Sequence, residues 1–153
     1  MQKLLNLVDE LALQIPNATT LNTNVSVGDI GWHVEHSCLV IIKITETVKQ
    51  SDPKKFHSKF NFKKVVVFLL GKIPRGRAKA PEVVMPIENI TISHLEKSII
   101  LAKDAIQELH GCEKNNYFNH PFFGNLNTPA TINFLGIHTN HHLSIIKDIL
   151  KRF

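Results

Sequence analysis

The fold is decided by residues 128–153, TPATINFLGIHTNHHLSIIKDILKRF. Thr128 is a suitable N-cap, and Pro129 takes the first helical position, where its missing N–H is not needed. Apolar residues recur at helical spacing up to the end of the segment. The pattern predicts one long amphipathic helix with two imidazoles in its inner stripe: Leu135, His138, His142, Ile145 and Ile149.

The rest of the chain predicts three or four further helices and no β-strand. Pro- and Gly-rich composition makes residues 73–86 a long loop, and residues 112–127 form a second long loop with an aromatic patch. Amphipathic helices joined by loops imply an all-α helical bundle. The predicted helices run from about Gln2 to Ile15, from the cap Ser26 to about Gln50, from Lys63 to Lys72, and from the cap Ser93 to Gly111.

Length and composition indicate one globular domain, residues 1–153, with 43% hydrophobic and 20% charged residues. The longest apolar run, residues 65–70, is far shorter than the roughly 20 residues that span a bilayer, so we expect no membrane segment. The acidic pair Asp9 and Glu10 interrupts the place where a signal peptide is apolar, which predicts a cytoplasmic protein. Two cysteines, Cys38 and Cys112, are too few for a disulfide framework and are expected to be free thiols.

The chain is mildly basic, with 18 Lys and Arg against 13 Asp and Glu. Part of the excess lies in one short loop, which is either a solvated segment or a site that captures an anionic group. Four charges are a small electrostatic footprint and no aromatics are interleaved with them, which argues against a nucleic-acid partner. The loop residues are Lys72, Arg75, Arg77 and Lys79.

The clearest chemical feature is the pair His138 and His142, which lie one helical turn apart on the same face. Such a pair is a common source of two nitrogen ligands for one metal ion. In a chain with nine histidines, a pair at this spacing also arises by accident about half the time. The alternative is therefore two ordinary histidines with local hydrogen-bond partners.

The second predicted helix supplies a third imidazole. His33 lies in its inner stripe, and facing stripes of a bundle can bring ligands together. His36 can replace His33 or act beside it, but we expect His36 to be shifted towards the helix edge and therefore favour His33. Three histidines without a carboxylate leave coordination positions open, as catalytic rather than structural sites do.

Two segments, SVGDIGWH at residues 26–33 and HTNHHL at residues 138–143, resemble the DinB/YfiT-like superfamily. PRGRAKAP at residues 74–81 and HPFFGNL at residues 120–126 resemble a bacterial branch of that superfamily. The resemblance implies a four-helix bundle in up-down-down-up order, often a homodimer. It also implies a divalent metal held by His33, His138 and His142.

Characterised members of that superfamily include metal-dependent transferases that use low-molecular-weight thiols. We therefore predict a metal-dependent enzyme acting on a small molecule, either a thiol S-transferase or a hydrolase, with Zn, Ni or Fe as the ion. The alternative is a non-catalytic metal- or ligand-binding bundle.

Several other residues are candidates for supporting roles. Glu35 is a candidate general base or an outer partner of a ligand, and His120 is a candidate residue at the mouth of the site. Arg75 and Arg77 are candidates for binding the anionic group of a thiol cofactor.

Overall fold

A computed structural model describes residues 1–76, 81–86 and 90–151 of the chain. These residues are mostly helical, as the sequence predicted, with one small sheet. The elements are α1 (Gln2–Ala12), α2 (Ile30–Gln50), α3 (Phe62–Leu70), α4 (Ile92–His110), β1 (Tyr117–His120), β2 (Gly124–Asn127) and α5 (Thr128–Leu150).

The core lies between α1, α2, α4 and α5. Helix α2 packs against both α4 and α5, and α1 packs against the same two helices. The side chains buried between them are mainly Leu and Ile, which are the main source of the folding free energy. Whether these helices follow the up-down-down-up order stays a prediction. The largest fully buried side chains include Leu11, Ile41, Leu95, Ile106, Leu135 and Leu143.

The start of α2 differs from the prediction in a way that matters for the site. Asp29, not Ser26, is the N-cap, and its Oδ1 accepts a hydrogen bond of 2.7 Å from the Trp32 N–H. The hydroxyl of Ser26 is engaged elsewhere, because it accepts from the Gly28 N–H and lies 2.9 Å from Nε2 of His33. Helix α2 therefore begins at Ile30, only a few residues before its first histidine, His33.

Two other predicted caps were wrong by one or two residues. Helix α4 is capped by Thr91, which accepts from the His94 N–H, rather than by Ser93. Asn127 caps α5 through the Ala130 N–H, so Thr128 is already helical. In both cases neighbouring residues have equally suitable side chains, and sequence preferences alone do not choose between them.

Some helix ends also differ from the prediction. Helix α1 ends at Ala12, and a separate 3₁₀ turn covers Ile15–Asn17. Helix α2 ends at Gln50 as predicted. The third helix was predicted correctly as a helix, although it ends at Leu70 with Gly71 in the left-handed conformation.

The prediction that residues 112–127 form only a loop was wrong. Strands β1 and β2 pair antiparallel, with Tyr117 opposite Asn127 and His120 opposite Gly124. Each strand has four residues, too few for an alternating pattern to stand out in the sequence. Gly124 has a φ of 69°, which favours glycine at the end of the turn. The hairpin packs against α2 and α5.

Within the described ranges, no helix combines the length and the apolar character that crossing a membrane requires. Cys38 is buried and Cys112 is half-buried, and both are free thiols as predicted.

Candidate metal centre

Four histidines from two helices meet in the interior of the protein. His33 and His36 come from α2, and His138 and His142 come from α5. The rings of His138 and His142 are 4.6 Å apart between centroids, as expected for residues one turn apart on a helix. The ring of His36 lies 5.2 Å from His138 and 4.8 Å from His142. Nδ1 of His33 lies 2.9 Å from Nδ1 of His142.

Three of these four histidines form a group that can hold a metal ion. His36, His138 and His142 each offer one ring nitrogen, and the three nitrogens lie within 4.8 Å of one another. No carboxylate belongs to this group, so its donors are imidazole nitrogens only. Such a donor set suits Zn, Ni or Fe equally well.

The position of His36 differs from the expectation that it would sit towards the helix edge. It is only 4% exposed, and its ring stacks on that of Trp32 at 4.9 Å. Residues three apart on a helix point only about 60° apart, so His33 and His36 can both face the interior. Because α2 packs against both α4 and α5, its buried face is wide enough to include both.

A backbone contact determines which nitrogen of His36 is available. Its Nδ1 lies 2.8 Å from the carbonyl oxygen of Val84, which only accepts, so Nδ1 carries the proton. In a neutral ring Nε2 then keeps its lone pair. Metal-binding histidines are commonly oriented in this way by a carbonyl behind the ring. The Val84 carbonyl, in the loop before α4, thus leaves Nε2 of His36 as the nitrogen that can bind a metal ion.

His138 carries a polar atom that the described protein does not satisfy. Its Nδ1 is buried and has no hydrogen-bond partner among the described residues. Leaving a buried polar group unpaired costs roughly 1–3 kcal/mol, so such atoms normally have a partner. A metal ion is a suitable partner for a buried nitrogen of a residue that belongs to a group of three histidines. The residues present therefore fit the group that the sequence implied.

His33 lies directly beside this group, and its hydrogen bonds connect it to the N-terminal segment. Ser26 Oγ is 2.9 Å from His33 Nε2, while the opposite nitrogen faces His142. His33 thus orients one member of the three-histidine group. The expectation that it is itself the third ligand stays a prediction.

Burial keeps these imidazoles neutral, which is the form that binds metals. Desolvation is the main cause, and the neighbouring histidines add to it because charges of the same sign repel. Together these effects lower the pKa of His33 to about 4. Burial also lowers the pKa of His36, against the opposing effect of its hydrogen bond to Val84. Burial and the neighbouring histidines also lower the pKa values of His138 and His142 well below the ordinary value.

These shifts predict that the metal-free protein loses stability in mild acid. The folded-state pKa of His33 is about 4 and the ordinary value is 6.5, so the unfolded chain binds more protons in between. The stabilisation is complete above about pH 6.5 and declines as the pH falls towards about 4. Urea unfolding of chelator-treated protein at a series of pH values measures this decline. A free energy of unfolding that is constant over this range would contradict it.

Arg75 lies close to the histidines, whereas Arg77 lies outside the described residues. The positive charge of Arg75 contributes to the lowered pKa of both His33 and His141. Its guanidinium also pairs with Asp148 at 2.8 Å. His141 is half-buried, and its ring lies edge-on against that of His142 at 5.2 Å.

Glu35 lies on α2 but contacts α4. The carboxylate is 3% exposed, and Oε1 is 2.9 Å from Nε2 of His94. The other oxygen, Oε2, is buried without a partner among the described residues. None of these contacts joins Glu35 to the metal-binding group, and its role as a base stays a prediction.

His120 has a structural function at the end of β1. Its Nδ1 accepts from the backbone N–H groups of Phe122 and Phe123, which closes the turn of the hairpin. Burial lowers its pKa to about 4, so the ring is neutral and can accept both bonds. The ring of Phe134 lies between His120 and His138, at 4.7 and 5.8 Å. The role of His120 at the mouth of the site stays a prediction.

Two partners of the site were not predicted from the sequence. The Val84 carbonyl is a backbone group in a loop, and no sequence pattern identifies it. Ser26 was interpreted as a helix cap, although a hydroxyl seven residues before His33 was visible in the motif.

The chain was compared with protein-family models, with curated proteins and with solved structures, and none of these comparisons found a match.

Proposed function

We propose that this protein is a metal-dependent enzyme that acts on a small molecule, with transfer of a low-molecular-weight thiol as its reaction. The observation that supports this most directly is the group of three imidazoles, His36, His138 and His142, within ligating distance of one another. Neutral rings and the unsatisfied Nδ1 of His138 are the properties expected of a metal site.

The ion would be held by the α5 pair and one imidazole from α2. The distances favour His36 as the third ligand, whereas the resemblance to the DinB/YfiT-like superfamily favours His33. A divalent ion in such a site acts as a Lewis acid that lowers the pKa of a thiol or a water. With three protein ligands, such a site would keep a coordination position open for a substrate.

Other side chains would bind and orient the substrate. Arg75 is near the histidines and carries a guanidinium suited to a carboxylate, a group that low-molecular-weight thiols commonly have. Its bond to Asp148 would have to be shared or exchanged when such an anion arrives. Trp32 stacks on His36 and would form an apolar wall beside the site. Arg77 is proposed to assist Arg75.

The order of the two histidine motifs and of the segment between them supports membership of the DinB/YfiT-like superfamily. With that membership we propose an up-down-down-up bundle, a homodimer and a cytoplasmic location. The mutual packing of α1, α2, α4 and α5 is consistent with a bundle of four helices.

The test is elemental analysis followed by an assay of the purified protein without a His tag. We expect about one divalent ion per chain, and conjugation of a small thiol to an alkylating electrophile by the loaded protein. Conversion of esters or amides without thiol transfer would identify the hydrolase instead. The exposed-histidine variant His57→Ala should behave like the wild type. Absence of a bound ion after purification without chelators would contradict the proposal.

A non-catalytic metal-binding protein is the second candidate, and one observation favours it. Two surface grooves of about 500 and 550 Å³ lie elsewhere in the described part of the chain, and neither is lined by the histidines. Enzymes usually place their reactive groups in a cleft. Stoichiometric metal without turnover of thiols or esters would support this second candidate.

A further inference from the structure

Helix α3 and Phe60, which lies two residues before it, expose an unusual amount of apolar surface. Phe60 is 84% exposed, Phe62 is 69% exposed and Leu69 is 83% exposed. Isolated exposed apolar residues are common, but a contiguous group marks a surface that contacts something else. We call this group the α3 face: Phe60, Phe62, Val65, Leu69 and Leu70.

The α3 face is directed away from the core by the geometry of the helix. Phe62, Val65 and Leu69 are spaced three and four apart, so they lie on one side. The opposite side attaches the helix, since Val67 is buried and Phe68 packs edge-on against Phe123 at 6.1 Å. Helix α3 is thus held by one side and presents apolar side chains on the other.

The surroundings of the α3 face are strongly basic. Residues 53–81 contain nine Lys and Arg and no Asp or Glu. In the described part of the chain, the salt bridges made from this segment are those of Lys55 and Arg75. Exposed lysines therefore lie next to exposed aromatic and aliphatic groups, without acidic residues to neutralise them. These lysines are Lys59, Lys63 and Lys72.

We propose that the α3 face docks on an anionic lipid surface. Lysines beside Phe and Leu are the composition of helices that lie in the headgroup region, where lysine binds anionic headgroups and the apolar face enters the acyl boundary. Attachment of this kind needs no helix that spans the bilayer. It is also independent of the metal site, which lies on α2 and α5.

Two other occupants fit these observations less well. A two-fold contact between copies of the chain would bring the same lysines of each copy towards one another, and like charges repel. Nucleic acid would satisfy the lysines, but Val65, Leu69 and Leu70 would find no apolar partner on a phosphate backbone. A lipid surface satisfies both the charge and the apolar side chains.

The test is co-sedimentation of the full chain with phosphatidylcholine vesicles that contain or lack phosphatidylglycerol. We expect binding to the anionic vesicles and at least tenfold weaker binding to the neutral ones. Lys59→Gln with Lys63→Gln should weaken binding to the anionic vesicles roughly 30-fold. Phe62→Ser with Leu69→Ser should weaken it by at least tenfold.

The matched control is Ile100→Ser with Leu101→Ser, which removes two exposed apolar side chains from α4 and should leave binding unchanged. Circular dichroism confirms that each variant is folded. The proposal would be overturned if the wild type did not bind anionic vesicles. It would also be overturned if the variant Phe62→Ser with Leu69→Ser bound them as well as the wild type does. A dimer or a duplex-DNA complex that this variant abolishes, with vesicle binding intact, would assign the α3 face to that partner instead.

Discussion

Replacing His142 with Ala is expected to abolish stoichiometric metal binding. His142 is close to each of the other three histidines, so it is the central member of the cluster. Loss of an outer partner typically weakens metal affinity 10–100-fold, and loss of a ligand should exceed roughly 100-fold. Isothermal titration with Zn²⁺ measures the affinity, and elemental analysis measures the bound ion.

The same measurement on His36→Ala and His33→Ala decides the third ligand. If the distances identify it correctly, His36→Ala should be as severe as His142→Ala, and His33→Ala should lose about 10–100-fold. The reverse order would support the assignment from the motif. His57→Ala is the control, because its side chain is exposed and far from α5 in sequence. Unchanged affinity in His142→Ala would show that the ion is held elsewhere or not at all.

Replacing Ile106 with Ala is expected to lower the free energy of unfolding by about 2–5 kcal/mol. Ile106 is fully buried on α4 and belongs to the main hydrophobic core. The smaller side chain removes apolar contacts and leaves a cavity that the packed helices can only partly fill. For a chain of this size, the melting temperature should fall by roughly 5–15 °C. Urea unfolding and thermal denaturation measure the two quantities.

Ile100→Ala provides the matched control on the same helix. Ile100 is 59% exposed, so the same chemical change should alter the free energy of unfolding by about 0.5 kcal/mol at most. Equal losses in the two variants would mean that α4 does not pack as described.

The sequence predicted the helices well because their amphipathic pattern extends over many turns. In α5, the apolar stripe and the His138–His142 pair depend on neighbouring turns of a single helix, so local spacing was sufficient. The start of α2 was harder, because Ser26 and Asp29 are both good caps and the contact that separates them involves His33. The hairpin was missed because strands of four residues are too short to display their period.

The site itself was only partly predictable, for a related reason. A stripe drawn along one helix predicted a narrow inner face and gave preference to His33 over His36. The width of that face depends on how many elements pack against α2, which is a property of the tertiary structure. The contact between His36 and the Val84 carbonyl depends on the path of a loop, which cannot be predicted from the spacing of residues in the sequence.

The hydrogen bond from His36 to Val84 joins segments 48 residues apart in the chain. An ion that binds Nε2 of His36 requires the neutral ring to carry its proton on Nδ1. It therefore favours the arrangement in which the Val84 carbonyl accepts a hydrogen bond from Nδ1–H. Binding of an ion at the histidines would then stabilise the turn at Glu82–Val84. Because such coupling is reciprocal, the formed turn would raise the affinity for the ion by the same factor. Binding of an ion at the histidines would thus affect the turn at Glu82–Val84 through one carbonyl oxygen, that of Val84.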